Sequence, residues 1–264
     1  METIQMLWIG KKLSKIERLS LLSFLKNGHE VHLYCYDPIE NIPNGVTILD
    51  ANDIVDNSKI FKAHGESYGA FSDLFRHALL YKKGGCWADT DVICLKPFTF
   101  EDEATLCAED MARISTAVLR LPKGNIISEK ILENFKTPWR FLPKNSEALI
   151  EKIKKEHGNG FLKEIYQYTQ WGELGGPMAL TKIYAELKLD YTLLVPETFY
   201  PVHPTEWWST FFDPHLKSRI KWDDCYGIHL WNNMFSTYSR FDKTAVFPKG
   251  TIINMLFEKY GITT

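Results

Sequence analysis

The chain has 264 residues, 45% hydrophobic and 14% aromatic, which excludes a disordered polar segment and predicts a packed core. Its 31 Lys and Arg nearly balance 33 Asp and Glu, with no basic tract, which argues against a nucleic-acid partner. No apolar run approaches the roughly 18 residues of a membrane span, and the first residues lack a signal peptide's basic start and long apolar stretch. Cys35, Cys86, Cys94, Cys107 and Cys225 are scattered without a Cys-x-x-Cys pair, so reduced core thiols in a soluble, cytoplasmic protein are expected.

Ile4 to Ile9 is a short apolar run ending at Gly10, the pattern of a buried first strand. Ser14-Lys-Ile-Glu17 has the form of a capping box. Ile16, Leu19, Leu22 and Leu25 follow at near-helical spacing, and Asn27-Gly28 stops the helix. His29 to Tyr36 reads as a strand closed by Asp37-Pro38, and Val46 to Leu49 as a third. This β-α-β opening predicts a mainly parallel sheet covered by helices in an α/β fold.

Phe71, Leu74, Phe75, Ala78 and Leu79 form an i, i+3, i+4, i+7, i+8 stripe, so a helix runs to Gly84-Gly85. Those glycines are read as its stop and as bare backbone where a ligand can approach. A short strand follows and ends in Asp89-Thr90-Asp91, with Val92 to Leu95 continuing until Pro97. Further strands are predicted at Thr105–Ala108 and Ser115–Leu121. Helices are predicted at Ile126–Phe135, Ser146–His157, Phe161–Tyr168 and Pro177–Leu187, before a proline- and aromatic-rich last third.

The chemistry concentrates between Phe71 and Asp91. In an extended backbone Asp89 and Asp91 point to one face while Thr90 points away. Two converging carboxylates make a hard oxygen site for a divalent cation, which also holds a pyrophosphate. At the carboxyl end of a strand in an open α/β sheet such a pair has room for a ligand. One helix earlier, Asp73 and Arg76 are three residues apart. Alone they would be an ordinary surface ion pair; beside the Asp pair they read as a sugar-hydroxyl acceptor and a charge-stabilising fork.

Other candidates keep two readings at this stage. Trp8 suits either the core or stacking on a nucleobase. His229 is either structural or a further ligand acceptable to Mn²⁺, with Asn232 or Asn233 as alternative oxygen donors. Trp171-Gly-Glu-Leu-Gly-Gly-Pro177 is either a tight helix start or a loop beside a sugar, with Glu173 as a hydrogen-bonding or basic group. Trp207-Trp208 and Phe211-Phe212 read as core or lid in preference to an acceptor platform, and could also touch a membrane interface.

With these residues in hand, the chain resembles glycosyltransferase family 32. The likeness is strongest over Phe71 to Pro97, where Phe-Ser-Asp-x-x-Arg, Leu-Tyr-x-x-Gly-Gly and Asp-Thr-Asp-Val occur in order. Trp8-Ile9-Gly10, Gly176-Pro177 with Leu180-Thr181, and His229 resemble further family segments. Three departures stand out. Trp87 replaces a common Tyr, with the same stacking role expected. Ser115 and Thr116 stand near a frequent Asn, and Met234-Phe235 where Ser-Trp is frequent.

The resemblance implies one GT-A (Rossmann-like) domain over 1–264, with a nucleotide-sugar part at about 1–120 and a helical acceptor part at about 121–264. It implies a UDP-sugar donor and Mn²⁺ or Mg²⁺ held by Asp89, Asp91 and His229. Donor contacts are expected from Trp8, Ile9, Gly10, Tyr36, Asp73, Arg76, Trp87, Asp89 and Thr90, and catalytic work from Asp73, Arg76, Asp89, Asp91 and Glu173. Transfer of a hexose (galactose or glucose) with retention is expected, by same-face attack in preference to double displacement through Glu173 or Glu109. The expected acceptor is a glycan, as a lipid-linked capsule or lipopolysaccharide precursor, with peripheral contact at the inner face of the cytoplasmic membrane. A toxin-like enzyme that modifies protein side chains, and a non-catalytic nucleotide-sugar-binding module, are the alternatives.

Overall fold

The computed structural model describes residues 1–234 and 242–262. Strand β1 (Thr3–Trp8) leads into helix α1 (Lys15–Lys26), then β2 (Glu30–Cys35) and β3 (Val46–Asp50). Ser14 caps α1, and the reciprocal Ser14–Glu17 capping box forms as its spacing predicts. Helix α2 (Gly69–Lys83) precedes β4 (Gly85–Ala88), β5 (Val92–Cys94), β6 (Thr105–Cys107) and β7 (Val118–Leu121). Helices α3 (Ile126–Lys136), α4 (Glu147–His157), α5 (Phe161–Ile165) and α6 (Pro177–Leu187) come next. β8 (Thr192–Leu194), α7 (Ser209–Phe212), β9 (Gly227–His229) and α8 (Ile252–Tyr260) complete the order.

Seven strands form one sheet in the order β3-β2-β1-β4-β7-β6-β8. β1, β2, β3 and β4 pair in parallel, and β6 pairs in parallel with β8. β7 pairs antiparallel with both β4 and β6, so it alone runs against the rest. The mainly parallel α/β sheet expected from the β-α-β opening is therefore present. The second half of the chain contributes to it through β8, so the sheet does not stop near residue 120.

Alternation along the strands sends side chains to two covered faces. Leu7, Tyr34, Trp87 and Leu119 pack with Phe71, Phe75 and Leu79 of α2, Ile127 and Ile131 of α3, and Leu180 of α6. Ile4, Met6, Val31 and Leu33 face Leu21 and Phe24 of α1 on the other side. A third cluster joins Ile16 and Leu19 of α1 to Ile93, Phe211, Ile228, Phe247 and Phe257, fastening the C-terminal elements to the N-terminal helix.

Two local expectations need correcting. Gly84 does not offer its backbone to a ligand. Gly84 (φ +71°) accommodates the chain itself, since a Cβ there would lie 2.6 Å from the Lys123 backbone nitrogen. The strand predicted from Ser115 begins only at Val118, because Ser115 Oγ accepts from the Ala117 N–H and replaces a ladder bond.

Candidate active site

Asp89 and Asp91 follow the carboxyl end of β4, but the backbone there is a turn, with the Val92 N–H donating to Asp89 O at 3.0 Å. The two carboxylates therefore do not share the face of an extended strand. Each is aimed by its own partners. Asp89 accepts from Trp87 Nε1 at 2.8 Å and pairs with Arg76 at 3.2 Å. Asp91 accepts from the Asn232 N–H at 2.6 Å and lies 3.3 Å from His229 Nε2.

His229 arrives from 138 residues further along the chain through strand register. β5 and β9 form a separate antiparallel pair in which Val92 lies opposite His229, and Leu230 N–H donates to Asp91 O. Ligand atoms of Asp89, Asp91 and His229 lie within 4.8 Å of one another. Tyr200 meets the imidazole edge-on at 5.7 Å and Trp231 lies 4.3 Å from it, which fixes the ring.

The electrostatics separate the two carboxylates. Burial raises Asp89, and Arg76 offsets this only in part. Burial also disfavours charge on Asp91, but His229, the Asn232 N–H and Lys243 outweigh it and hold the carboxyl below its usual range. For His229, burial favours the neutral ring, yet Asp91, Asp89 and Glu109 raise it overall.

Arg76 is 4% exposed and ties this floor together. It reaches Asp73 at 3.4 Å, Ser72 Oγ at 3.1 Å, Asp89, and the Thr116 carbonyl, and its guanidinium lies 5.2 Å over the Trp87 ring. Trp87 is 1% exposed, so its stacking role is spent on Arg76 while its N–H orients Asp89. Asp73 is raised to about 6, first by burial and further by Asp89, against the opposing effect of Arg76 and Thr116. Gly176 packs on it: a Cβ there would lie 3.1 Å from Asp73 Oδ2 and 2.8 Å from Gly172 Cα.

These groups line a cavity of about 1170 Å³, together with Trp8, Ile9, Thr90, Glu109, Trp171 and Trp208. Thr90 thus faces the cavity and does not point away. Trp8 is half-buried in the wall with Nε1 unpartnered. Gly10, Tyr36 and Glu173 are not among the lining residues. A Cβ on Gly10 would lie 3.2 Å from Trp8 Nε1, so Gly10 makes room for the indole. The Tyr36 hydroxyl donates to Val55 O at 2.8 Å. Glu173 Oε2 is buried and unpartnered behind the Gly172–Gly176 turn. Glu109 does line the cavity; burial raises it, and Arg113 pairs with it at 3.1 Å.

Four contributors escaped sequence reasoning: Tyr200, Trp231, Lys243 and Glu17. Glu17 is wholly buried. Besides capping α1, its Oε1 accepts from Asn232 Nδ2 and from Lys243 Nζ, both at 2.9 Å. The capping-box motif was the only signal it carried. Met234 lines the cavity, whereas Phe235, the other half of that departure, lies outside the described residues.

The donor set fits a divalent cation. Two carboxylates and an imidazole suit Mn²⁺ better than Mg²⁺, and Asn232 Oδ1 is a buried oxygen with no partner close to Asp91.

Comparison with known proteins agrees with this geometry. Residues 10–112 match the model of a glycosyltransferase sugar-binding region containing the DXD motif, and 161–264 match an alpha 1,4-glycosyltransferase conserved region. The chain is 29% identical over 207 residues to the lactosylceramide 4-alpha-galactosyltransferase of Pongo pygmaeus, covering 73% of this chain and 78% of that one. It is 23% identical over 203 residues to the alpha-1,4-N-acetylglucosaminyltransferase of Homo sapiens, covering 72% and 49%. It spans about half the length of most of the curated relatives it matches. The UDP-bound glycosyltransferase domain from the YGT toxin shares the fold, with a TM-score of 0.50 at 10% identity over 74% of this chain and 79% of that one. Asp89-Thr90-Asp91 is the DXD motif of the first region, His229 lies in the second, and the fold brings them into contact, so both regions in which the chain is similar to glycosyltransferases meet at one site.

Proposed function

We propose that the chain transfers a hexose from a UDP-sugar to a hydroxyl of a glycan, with retention of configuration, in a reaction that needs a divalent cation. The observation that carries the reading is the convergence of Asp89, Asp91 and His229 in a large cavity whose floor also holds Asp73 and Arg76. A cation held by the first three would neutralise charge on the departing diphosphate.

The protein's own groups then have distinct tasks. Asp73 is suited to accept hydrogen bonds from sugar hydroxyls and so to fix the ring. Arg76 holds Asp73 and Asp89 in place and adds positive potential beneath the diphosphate. Both DXD carboxylates are committed to the cation site, Glu173 lies outside the cavity, and Glu109, which does line it, is paired with Arg113 at 3.1 Å, which supports same-face attack over a covalent intermediate. In that reaction the acceptor oxygen bonds to the anomeric carbon, the bond to the diphosphate oxygen breaks, and the hydroxyl proton passes to that oxygen.

Galactose and N-acetylglucosamine are the hexoses to try first, by similarity to the two relatives named above. The proposal extends to a lipid-linked capsule or lipopolysaccharide precursor as acceptor at the inner face of the cytoplasmic membrane, a part that rests on family resemblance. The direct test is UDP release from a panel of UDP-sugars, with Mn²⁺ and with EDTA. Metal-dependent turnover of one donor supports the reading. No turnover, together with no Mn²⁺-dependent UDP binding, overturns it.

A further inference from the structure

Two tryptophans on the cavity wall are held out of the core. Trp171 is 50% exposed and Trp208 48% exposed, although burying such a ring is among the largest apolar gains available to a chain. Neither is on a loose segment. Trp207 beside Trp208 is 4% exposed and packs 5.8 Å from Phe211, and Trp208 O accepts from the Phe211 and Phe212 N–H groups at 3.0 and 3.1 Å. Trp171 precedes a turn whose Gly172 O accepts from the Ala179 N–H of α6 at 3.0 Å.

Both segments abut the floor of the site. The turn after Trp171 packs Gly176 against Asp73, and His203, from the segment leading to Trp208, lies within electrostatic reach of Glu109. The cavity, about 1170 Å³, exceeds the roughly 300–1,000 Å³ usual for a single small ligand, which leaves room for a second substrate beside a nucleotide sugar. Tyr68, His203 and Thr205 line the same cavity and offer hydrogen-bonding groups, His203 and Thr205 from the segment that leads to Trp208.

Half-exposed rings bordered by hydroxyl and imidazole groups match a pyranose, which has an apolar C–H face and a polar rim. Asp73 and Glu109 are each paired with an arginine, Arg76 and Arg113, so these pairs offer no net positive charge to favour an anionic sugar there. We propose that Trp171 and Trp208 form an acceptor subsite that takes a neutral hexopyranose of a glycan. This rests on the transferase reading above and gives its acceptor a chemical class and a place.

The test titrates the protein, loaded with UDP and Mn²⁺, with methyl β-galactoside, methyl β-glucoside and methyl β-lactoside, followed by tryptophan fluorescence. Saturable binding of at least one glycoside is expected. Its affinity should fall at least tenfold in Trp171→Ala and in Trp208→Ala, and remain within twofold in Trp139→Ala, whose ring stacks on Phe161 away from the cavity. Rescue by Trp171→Phe and Trp208→Phe would separate ring stacking from misfolding. No saturable binding, or equal affinity in both alanine variants, overturns the subsite. So does vesicle binding lost in the variants without any glycoside binding, which would mark the indoles as a contact to phosphatidylglycerol surfaces. UDP affinity is read in the same samples: its absence in the native chain would fault the donor reading, whereas UDP binding without glycoside binding faults only the subsite.

Discussion

The floor and the rim of the cavity are built by opposite means. The floor is charged, buried and crowded: Arg76 and Asp91 are 4% and 6% exposed, and each carboxylate is aimed by a named donor. The rim is aromatic and half-exposed, and its rings are held by turns and short helices. A buried charge is costly unless paired, so the floor is rigid by necessity. An indole can stand in water at moderate cost, so the rim is free to serve a partner that comes and goes. Chemistry should therefore fail at the floor, and acceptor selection at the rim.

The largest effect is expected at the centre of the floor. Asp91→Ala should lower kcat/KM for UDP-sugar turnover about 10³-fold, since it removes a cation ligand and leaves His229 without its partner. A loss of tenfold or less, measured as UDP release, would mean that the cation is held elsewhere.

Asp73→Asn should cost about 10²-fold in kcat/KM while making the chain more stable. The Asp73 carboxyl stands at about 6 in the folded chain against 3.8 as its ordinary value. The folded state thus binds the proton more tightly, and the stability this contributes is complete below 3.8 and lost as pH rises through about 6. At pH 7 the ionised group costs up to about 3 kcal/mol, at about 1.4 kcal/mol per pH unit. Urea denaturation at pH 7 should show the Asn variant as the more stable; a less stable variant would refute this account.

Glu17→Gln keeps a side chain able to complete the capping box but removes the charge opposite Lys243. It should reduce turnover about tenfold, in the range for groups that orient metal ligands. An unchanged Mn²⁺ dependence and unchanged rate would show that Asn232 and Lys243 hold their places without it.

The smallest effect concerns the back of the floor. His77 on α2 is wholly buried, and burial, then Arg76, lowers it from 6.5 to about 3. A histidine depressed in this way contributes stability that is present above 6.5 and lost as pH falls towards about 3, by at most about 1.4 kcal/mol per pH unit. Because Asp73 contributes a slope of opposite sign between about 6 and 3.8, the comparison is made in Asp73→Asn, where denaturation midpoints between pH 6.5 and 4.5 should show the His77 slope with and without Trp171→Ala. A slope that differs between them would break the separation of floor from rim.

Much of the floor was legible in the residues, because it is written in local spacing. The stripe of Phe71, Leu74, Phe75, Ala78 and Leu79 sets α2, and that helix carries Asp73 and Arg76 to within one turn and one strand of Asp89. Yet the reason offered for the convergence of Asp89 and Asp91 was an extended backbone, and the actual cause is a turn with separate anchors. What was not legible depends on long-range pairing. Nothing near His229 announces that β9 lies opposite β5, so its role stayed open until register placed it. Gly10 reads as a ligand contact because motif spacing cannot distinguish a group that touches substrate from one that supports such a group, whereas Trp87 both lines the cavity and supports Arg76 and Asp89. Glu173 failed similarly: glycine turns can face a side chain to either side of the chain.

The bond network of Glu17 bears on how the molecule comes together. Its carboxylate is buried within the first 20 residues, yet two of its three donors, Asn232 and Lys243, lie more than 200 residues later. During synthesis that carboxylate keeps only the Ser14 N–H and water as partners until the final quarter of the chain returns to cover it. A truncation before β9 would do more than delete a ligand. It would also remove both distal donors of Glu17, so the opening helix would lose its polar tie to the end of the chain.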